Sequence, residues 1–151
     1  MADTFSQIYI HVVFAVKYRK GLIAASWEQE LYKYISGIIF NKGQKLLIIN
    51  GAPDHLHILI SMRPSCCLSD LVREIKKSSN EYVRANRFTK DKFQWQEGFG
   101  AFSCCPSSLE HVIAYIKNQK QHHAINKFQD EYQEFLKEHD IDFDPEYLFD
   151  R

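Results

Sequence analysis

The segment Pro53-Asp54-His55-Leu56-His57-Ile58-Leu59-Ile60 constrains this chain more than any other. Pro53 and Asp54 are turn formers, and the apolar run after them reads as a strand beginning near His55. Successive strand side chains point to opposite faces, so His55 and His57 project from the same one. Two imidazoles side by side on a stiff strand make half of a metal site. The other half has to come from elsewhere in the chain.

The flanking sequence supplies a frame for that strand. Gln7 to Val16, rich in Ile, Tyr, Val and Phe, reads as a first strand, followed by a basic loop from Lys17 to Gly21. Ser26 is placed to cap a helix with Glu28 and Glu30 in its first turn, where the helix dipole favours acids. Leu31, Tyr34, Ile35, Ile38 and Ile39 then recur at helical spacing, and Gly43 ends the element. Gln44 to Asn50 is a second strand, which Gly51 to Asp54 turn into the histidine strand as a hairpin. After Pro64 a second helix, capped by Ser65 or Ser69, carries an apolar face of Leu68, Leu71, Val72, Ile75, Tyr82 and Val83. Arg73, Lys76, Lys77, Arg84 and Arg87 line much of its remainder. An irregular aromatic stretch leads to a last strand from Phe99 to Cys105. A third helix follows, capped by Ser107 or Ser108, on which His111, Tyr115, Gln119, His122 and His123 lie roughly together.

Strand, helix, strand, strand, helix, strand is the ferredoxin-like split βαβ order, an α+β fold with one antiparallel sheet. The third helix is an addition at its C-terminal end, free to carry chemistry. At 151 residues the chain suits one domain with a real core.

The formal net charge of zero conceals a division. From Gln129 onward nine acids face two bases, a net −7, which leaves +7 on residues 1–128. The basic part, 1–128, is expected to be the working domain, since a basic body suits a polyanionic partner. Residues 129–151 read as an acidic tail, with Phe143, Tyr147, Leu148 and Phe149 as candidate anchors of its irregular end. The longest early apolar run, Ile8 to Val16, is too short for a bilayer and lacks a preceding basic segment, so a cytoplasmic protein is expected. The cysteines stand as vicinal pairs, Cys66-Cys67 and Cys104-Cys105, a spacing ill suited to zinc, and read as reduced thiols.

A divalent ion on His55 and His57 needs a third ligand and open positions. Gln119 offers an amide oxygen, which suits Mg²⁺ or Mn²⁺ better than zinc. Tyr115, one turn earlier on the same face, is a candidate nucleophile. Its phenol has an ordinary pKa of about 10, so a nearby cation would favour the phenolate. A tyrosine attacking a phosphodiester combines covalent catalysis with Lewis-acid activation of the phosphate. Taken singly, each of these residues is more often packing or surface than chemistry.

Together they resemble a known family. His11-Val12-Val13-Phe14-Ala15-Val16-Lys17-Tyr18-Arg19, Pro53-Asp54-His55-Leu56-His57, Trp95-Gln96-Glu97-Gly98-Phe99-Gly100-Ala101-Phe102-Ser103 and Tyr115-Ile116-Lys117-Asn118-Gln119-Lys120-Gln121-His122-His123 follow one another from about Ser6 to His123. Four such blocks in this order resemble the single-tyrosine HUH transposases of minimal insertion sequences and their REP-associated tyrosine transposase relatives. The resemblance implies that Tyr115 cleaves single-stranded DNA, leaving a 5′-phosphotyrosine and a free 3′-hydroxyl. It implies that His55, His57 and Gln119 hold Mg²⁺ or Mn²⁺ on the scissile phosphate. It further implies imperfect DNA hairpins as substrate, and a homodimer whose tyrosine helix can serve the partner's histidine pair. Two other readings compete: a domesticated or inactive hairpin-DNA-binding module, and an RNA-binding ferredoxin-like domain that would need exposed aromatics on its sheet.

Overall fold

The apolar runs pair into one four-stranded antiparallel sheet. Its strands are β1 (Tyr9–Ala15), β2 (Lys45–Ala52), β3 (His55–Ser61) and β4 (Gly100–Cys104), in the order β2-β3-β1-β4. The structure is a computed structural model that describes residues 2–125 and 127–148. Helix α1 (Glu28–Asn41) joins β1 to β2, and α2 (Leu68–Ala85) joins β3 to β4. Both crossovers skip a position in the sheet, which brings β1 and β3 together at its centre. This is the ferredoxin-like arrangement that the order of elements requires.

The β1/β3 register pairs Val13 with His57 and Ala15 with His55. One face of these strands, with Val12, Phe14, Leu56, Ile58 and Ile60, packs on Leu31, Ile35 and Ile39 of α1 and Leu71, Val72 and Ile75 of α2. The other face carries Val13, Ala15 and Phe102, and it is covered too. Helices α3 (Leu109–Lys117), α4 (Gln119–Ile125) and α5 (Phe128–Glu138) follow β4, and Phe128, Tyr132 and Leu136 of α5 close a second core over this face. With helices on both sides, the sheet presents no open aromatic platform of the kind an RNA-binding sheet needs.

Three local expectations are corrected. None of the serines expected as N-caps does that work: Trp27, Cys67 and Ser108 occupy the N-cap positions of α1, α2 and α3, without a side-chain cap bond. The stretch from His111 to His123 is not one unbroken third helix. It breaks at Asn118 (φ −95°, ψ 19°), and the chain is extended again at Lys127 before α5. The acidic segment is also not a solvated tail throughout. Phe128, Tyr132, Phe135 and Leu136 recur at helical spacing and bury one stripe of α5, while its acids other than Glu131 mostly face outward. Of the expected anchors, Phe143 and Leu148 pack against that core. Phe149 and the Tyr147 side chain lie outside the described residues, as does the Ile125 side chain.

Gly51 fixes the hairpin that aims the histidines. A Cβ there would stand 2.2 Å from the His55 carbonyl oxygen, so only glycine allows β2 and β3 to approach this closely at the turn. None of the described helices is long and apolar enough to cross a membrane.

Candidate active site

His55 and His57 sit on the face of β3 turned toward α3, α4 and α5, and both are fully buried. Each ring is held by its Nδ1. The Asp54 carboxylate lies 2.7 Å from His55 Nδ1 and accepts a ring proton there, which turns Nε2 toward the helices. His11, from the neighbouring strand, puts its Nε2 2.8 Å from His57 Nδ1. The two Nε2 atoms are thereby turned into one space between the sheet and the helices.

Three side chains close that space. Gln119, fully buried at the start of α4, sets its Oε1 3.0 Å from His55 Nε2. Its amide nitrogen donates to Glu131 Oε1 of α5 at 3.2 Å. The Tyr115 hydroxyl, from α3, donates to the same Glu131 oxygen. Edge-on to His57 at 5.9 Å, the Tyr115 ring also stacks on His122 at 4.6 Å.

The break at Asn118 keeps Tyr115 and Gln119 on one side of the site. The Asn50 side-chain amide donates to the carbonyls of Ile116 and Lys117, at 2.9 and 3.1 Å, and so caps the end of α3 from β2. Lys120 then ties the start of α4 to the Gly51 carbonyl and to Glu28, each at 3.0 Å. The tyrosine and the glutamine are thus fastened to the hairpin that carries the histidines.

Burial and the neighbouring His55 hold His57 below the usual histidine range, at about 4, against the pull of Glu131, so it is neutral at pH 7. His11 is also shifted down, by burial and by His57. Burial alone would raise the Glu131 carboxyl, but the groups around it, His57 and the Tyr115 hydroxyl among them, prevail and hold it at about 2. Burial and the adjacent Glu131 raise the Tyr115 phenol well above its ordinary value. Around neutral pH the site therefore holds a neutral His57 ring, the Glu131 carboxylate and a protonated Tyr115 phenol.

These donors fit a divalent cation. His55 Nε2 and Gln119 Oε1 lie 3.0 Å apart, so a ring nitrogen and an amide oxygen, both able to ligate a metal, meet at one point. Buried His57 Nε2 and Glu131 Oε2 have no hydrogen-bond partner among the described residues. His55, His57 and Glu131 each bring a ligand atom to within 4.8 Å of the others.

All four residues singled out in the sequence, His55, His57, Tyr115 and Gln119, meet here. Glu131 did not emerge from the sequence as part of the site, and His11 and His122, though inside the quoted motifs, had no role there on sequence grounds. Glu131 was one acid among nine in an apparent tail. Its signal was its place in the α5 stripe, three residues after Phe128 and four before Phe135.

Comparison with known proteins assigns the class that this fold and site define. The chain is 27% identical over 118 residues to the ISDra2 transposase TnpA of Deinococcus radiodurans, covering 75% of this chain and 84% of that protein. Its fold resembles a crystallised D. radiodurans R1 protein described as a transposase, with a TM-score of 0.65 at 20% identity over 80% of this chain and 96% of the other. It also resembles a REP-associated tyrosine transposase solved with a REP hairpin, with a TM-score of 0.62 at 15% identity over 99% and 93% of the two chains. The profile of the family "Transposase IS200 like" matches residues 4–119. The chain belongs to that family of transposases, whose activity is DNA cleavage and strand transfer.

Proposed function

We propose that this transposase nicks and rejoins single-stranded DNA at hairpin-bearing ends, with Tyr115 as its nucleophile and with Mg²⁺ or Mn²⁺ held by His55, His57 and Gln119. The observation that carries this reading is the convergence of His55, His57 and Gln119 on one buried space, with the Tyr115 hydroxyl joined to Gln119 by two hydrogen bonds that meet at Glu131 Oε1. A bound divalent cation would supply Lewis-acid activation of the scissile phosphate and favour the phenolate.

The chain's own residues do the rest. Asp54 and His11 fix the two imidazoles, and Asn50 and Lys120 fix the helices that bring Tyr115 and Gln119. The Tyr115 oxygen attacks phosphorus, a Tyr–O–P bond forms, and the bond from phosphorus to the 3′-oxygen breaks. The products are a 5′-phosphotyrosine and a 3′-hydroxyl. Attack by a 3′-hydroxyl reverses the step and reseals the strand. The family's D. radiodurans member and the hairpin-bound structural relative support DNA, and a hairpin in particular, as the substrate.

One chain brings every one of these groups together, which favours a site built within a single subunit over one shared across a homodimer. Covalent capture tests the reading. A labelled hairpin-bearing single strand should form a denaturant-resistant adduct with the wild type in Mg²⁺ or Mn²⁺. No adduct should form with His55→Ala, with His57→Ala or in EDTA. Adducts retained in both histidine variants would overturn the metal assignment.

A further inference from the structure

We propose that Glu131 of α5 is itself a ligand of the divalent ion and the group that holds the Tyr115 hydroxyl against it, so the acidic C-terminal segment is a working part of the active site. This rests on the metal reading above and extends its ligand set from two histidines and an amide to include a carboxylate.

The ordinary alternative is a buried ion pair between Glu131 and a protonated His57. The local geometry speaks against it. His57 Nε2 and Glu131 Oε1 are 3.0 Å apart, yet the nitrogen makes no hydrogen bond to that oxygen or to any other described group. Its opposite nitrogen is already engaged by His11. The second carboxylate oxygen, Oε2, is buried without a partner, 3.7 Å from His55 Nε2. A buried ion pair satisfies both partners, whereas here the ring nitrogen and the second carboxylate oxygen are both left without a hydrogen bond among the described residues.

The spacing suits a shared ion. Ligands on adjacent vertices of an octahedral ion with bonds of about 2.1 Å lie about 3.0 Å apart. That is the separation of His57 Nε2 from Glu131 Oε1 and of His55 Nε2 from Gln119 Oε1. Charge points the same way. Imidazole and amide ligands bring no negative charge to a dication in a buried site, and Asp54 reaches it only by way of the His55 ring. Glu131 supplies the negative charge directly.

Because its Oε1 also accepts from Tyr115 and Gln119, one carboxylate couples the ion, the amide ligand and the nucleophile. The α5 stripe sets this position. Phe128 stacks on His55 at 4.3 Å, and Phe135 stands edge-on to Tyr115 at 5.5 Å, so the residues on either side of Glu131 grip the two ends of the site.

The test measures Mn²⁺ affinity by calorimetry on the full chain without DNA, alongside urea unfolding. Loss of an outer-shell partner alone typically weakens a metal site by about 10–100-fold. Glu131→Gln, which keeps the shape and the neighbouring hydrogen bonds, should weaken Mn²⁺ binding by at least about tenfold while the protein stays folded. Asp130→Asn, which removes the same charge from the exposed side of α5, should change it by less than about twofold. His55→Ala separates the two readings. If it abolishes binding while Glu131→Gln binds like the wild type, the histidine site stands and the role of Glu131 is overturned. If His55→Ala also binds like the wild type, the underlying metal site has failed. A Glu131→Gln protein with unchanged affinity and faster DNA cleavage would show that α5 is a cover over the site, and would equally overturn the proposal.

Discussion

Replacing Tyr115 by Phe separates its chemical role from its structural one, because the variant removes a single oxygen and keeps the ring. The ring contacts to His57, His122 and Phe135 survive the change. What is lost is one hydrogen bond to an ionised acceptor, typically worth about 1.5–3 kcal/mol. The acceptor is not stranded, however, since Glu131 Oε1 still receives the Gln119 amide at 3.2 Å. The loss should therefore fall at the low end, about 1–2 kcal/mol, or roughly 3–6 °C in Tm for a domain of this size. Covalent capture of DNA should vanish entirely, because no oxygen remains to attack phosphorus. Thermal unfolding and a denaturing gel on the same preparation read both quantities, and binding of the hairpin strand should persist. An adduct in the Phe variant would show that another tyrosine is the nucleophile. A loss of about 4 kcal/mol or more would show that the hydroxyl's bond to Glu131 is chiefly a buried structural link.

If each chain builds its own site as proposed, mixing the Tyr115→Phe and His57→Ala proteins should give no recovery of cleavage; recovery in a verified heterodimer would place the tyrosine helix in the partner's site. In EDTA, stability should fall as pH drops from about 6.5 toward 4. In that window the unfolded chain protonates His57 while the folded protein, with that ring at about 4, does not. The loss should be on the order of 3 kcal/mol by urea unfolding, and His57→Gln should flatten the slope. Gly51→Ala should cost about 3 kcal/mol or more, because its Cβ would stand 2.2 Å from the His55 carbonyl and can be relieved only by moving the histidine strand. Unchanged stability in that variant would mean that the hairpin relaxes freely.

The elements that the sequence determined by itself are those set by local periodicity. Alternation and turn chemistry placed the four strands within a residue or two, and put His55 and His57 on one face, because a strand's side-chain direction depends only on its own backbone. The order of elements dictated the sheet, whereas the helical period grouped Tyr115 with Gln119 only as an expectation, since the helix breaks between them at Asn118. The serine caps failed because cap bonds depend on how the chain enters a helix, which composition does not specify.

What the tertiary structure decided lies between elements far apart in the chain. That His11 orients His57 follows from the β1/β3 register, and that Asn50 ends α3 at Lys117 follows from the packing of α3 on β2. The role of Glu131 follows from docking α5 on the second face of the sheet. In sequence, Glu131 is indistinguishable in kind from the acids around it. Only the burial of one stripe of α5 turns one carboxylate of that segment inward, against two imidazoles brought there by a strand more than seventy residues away.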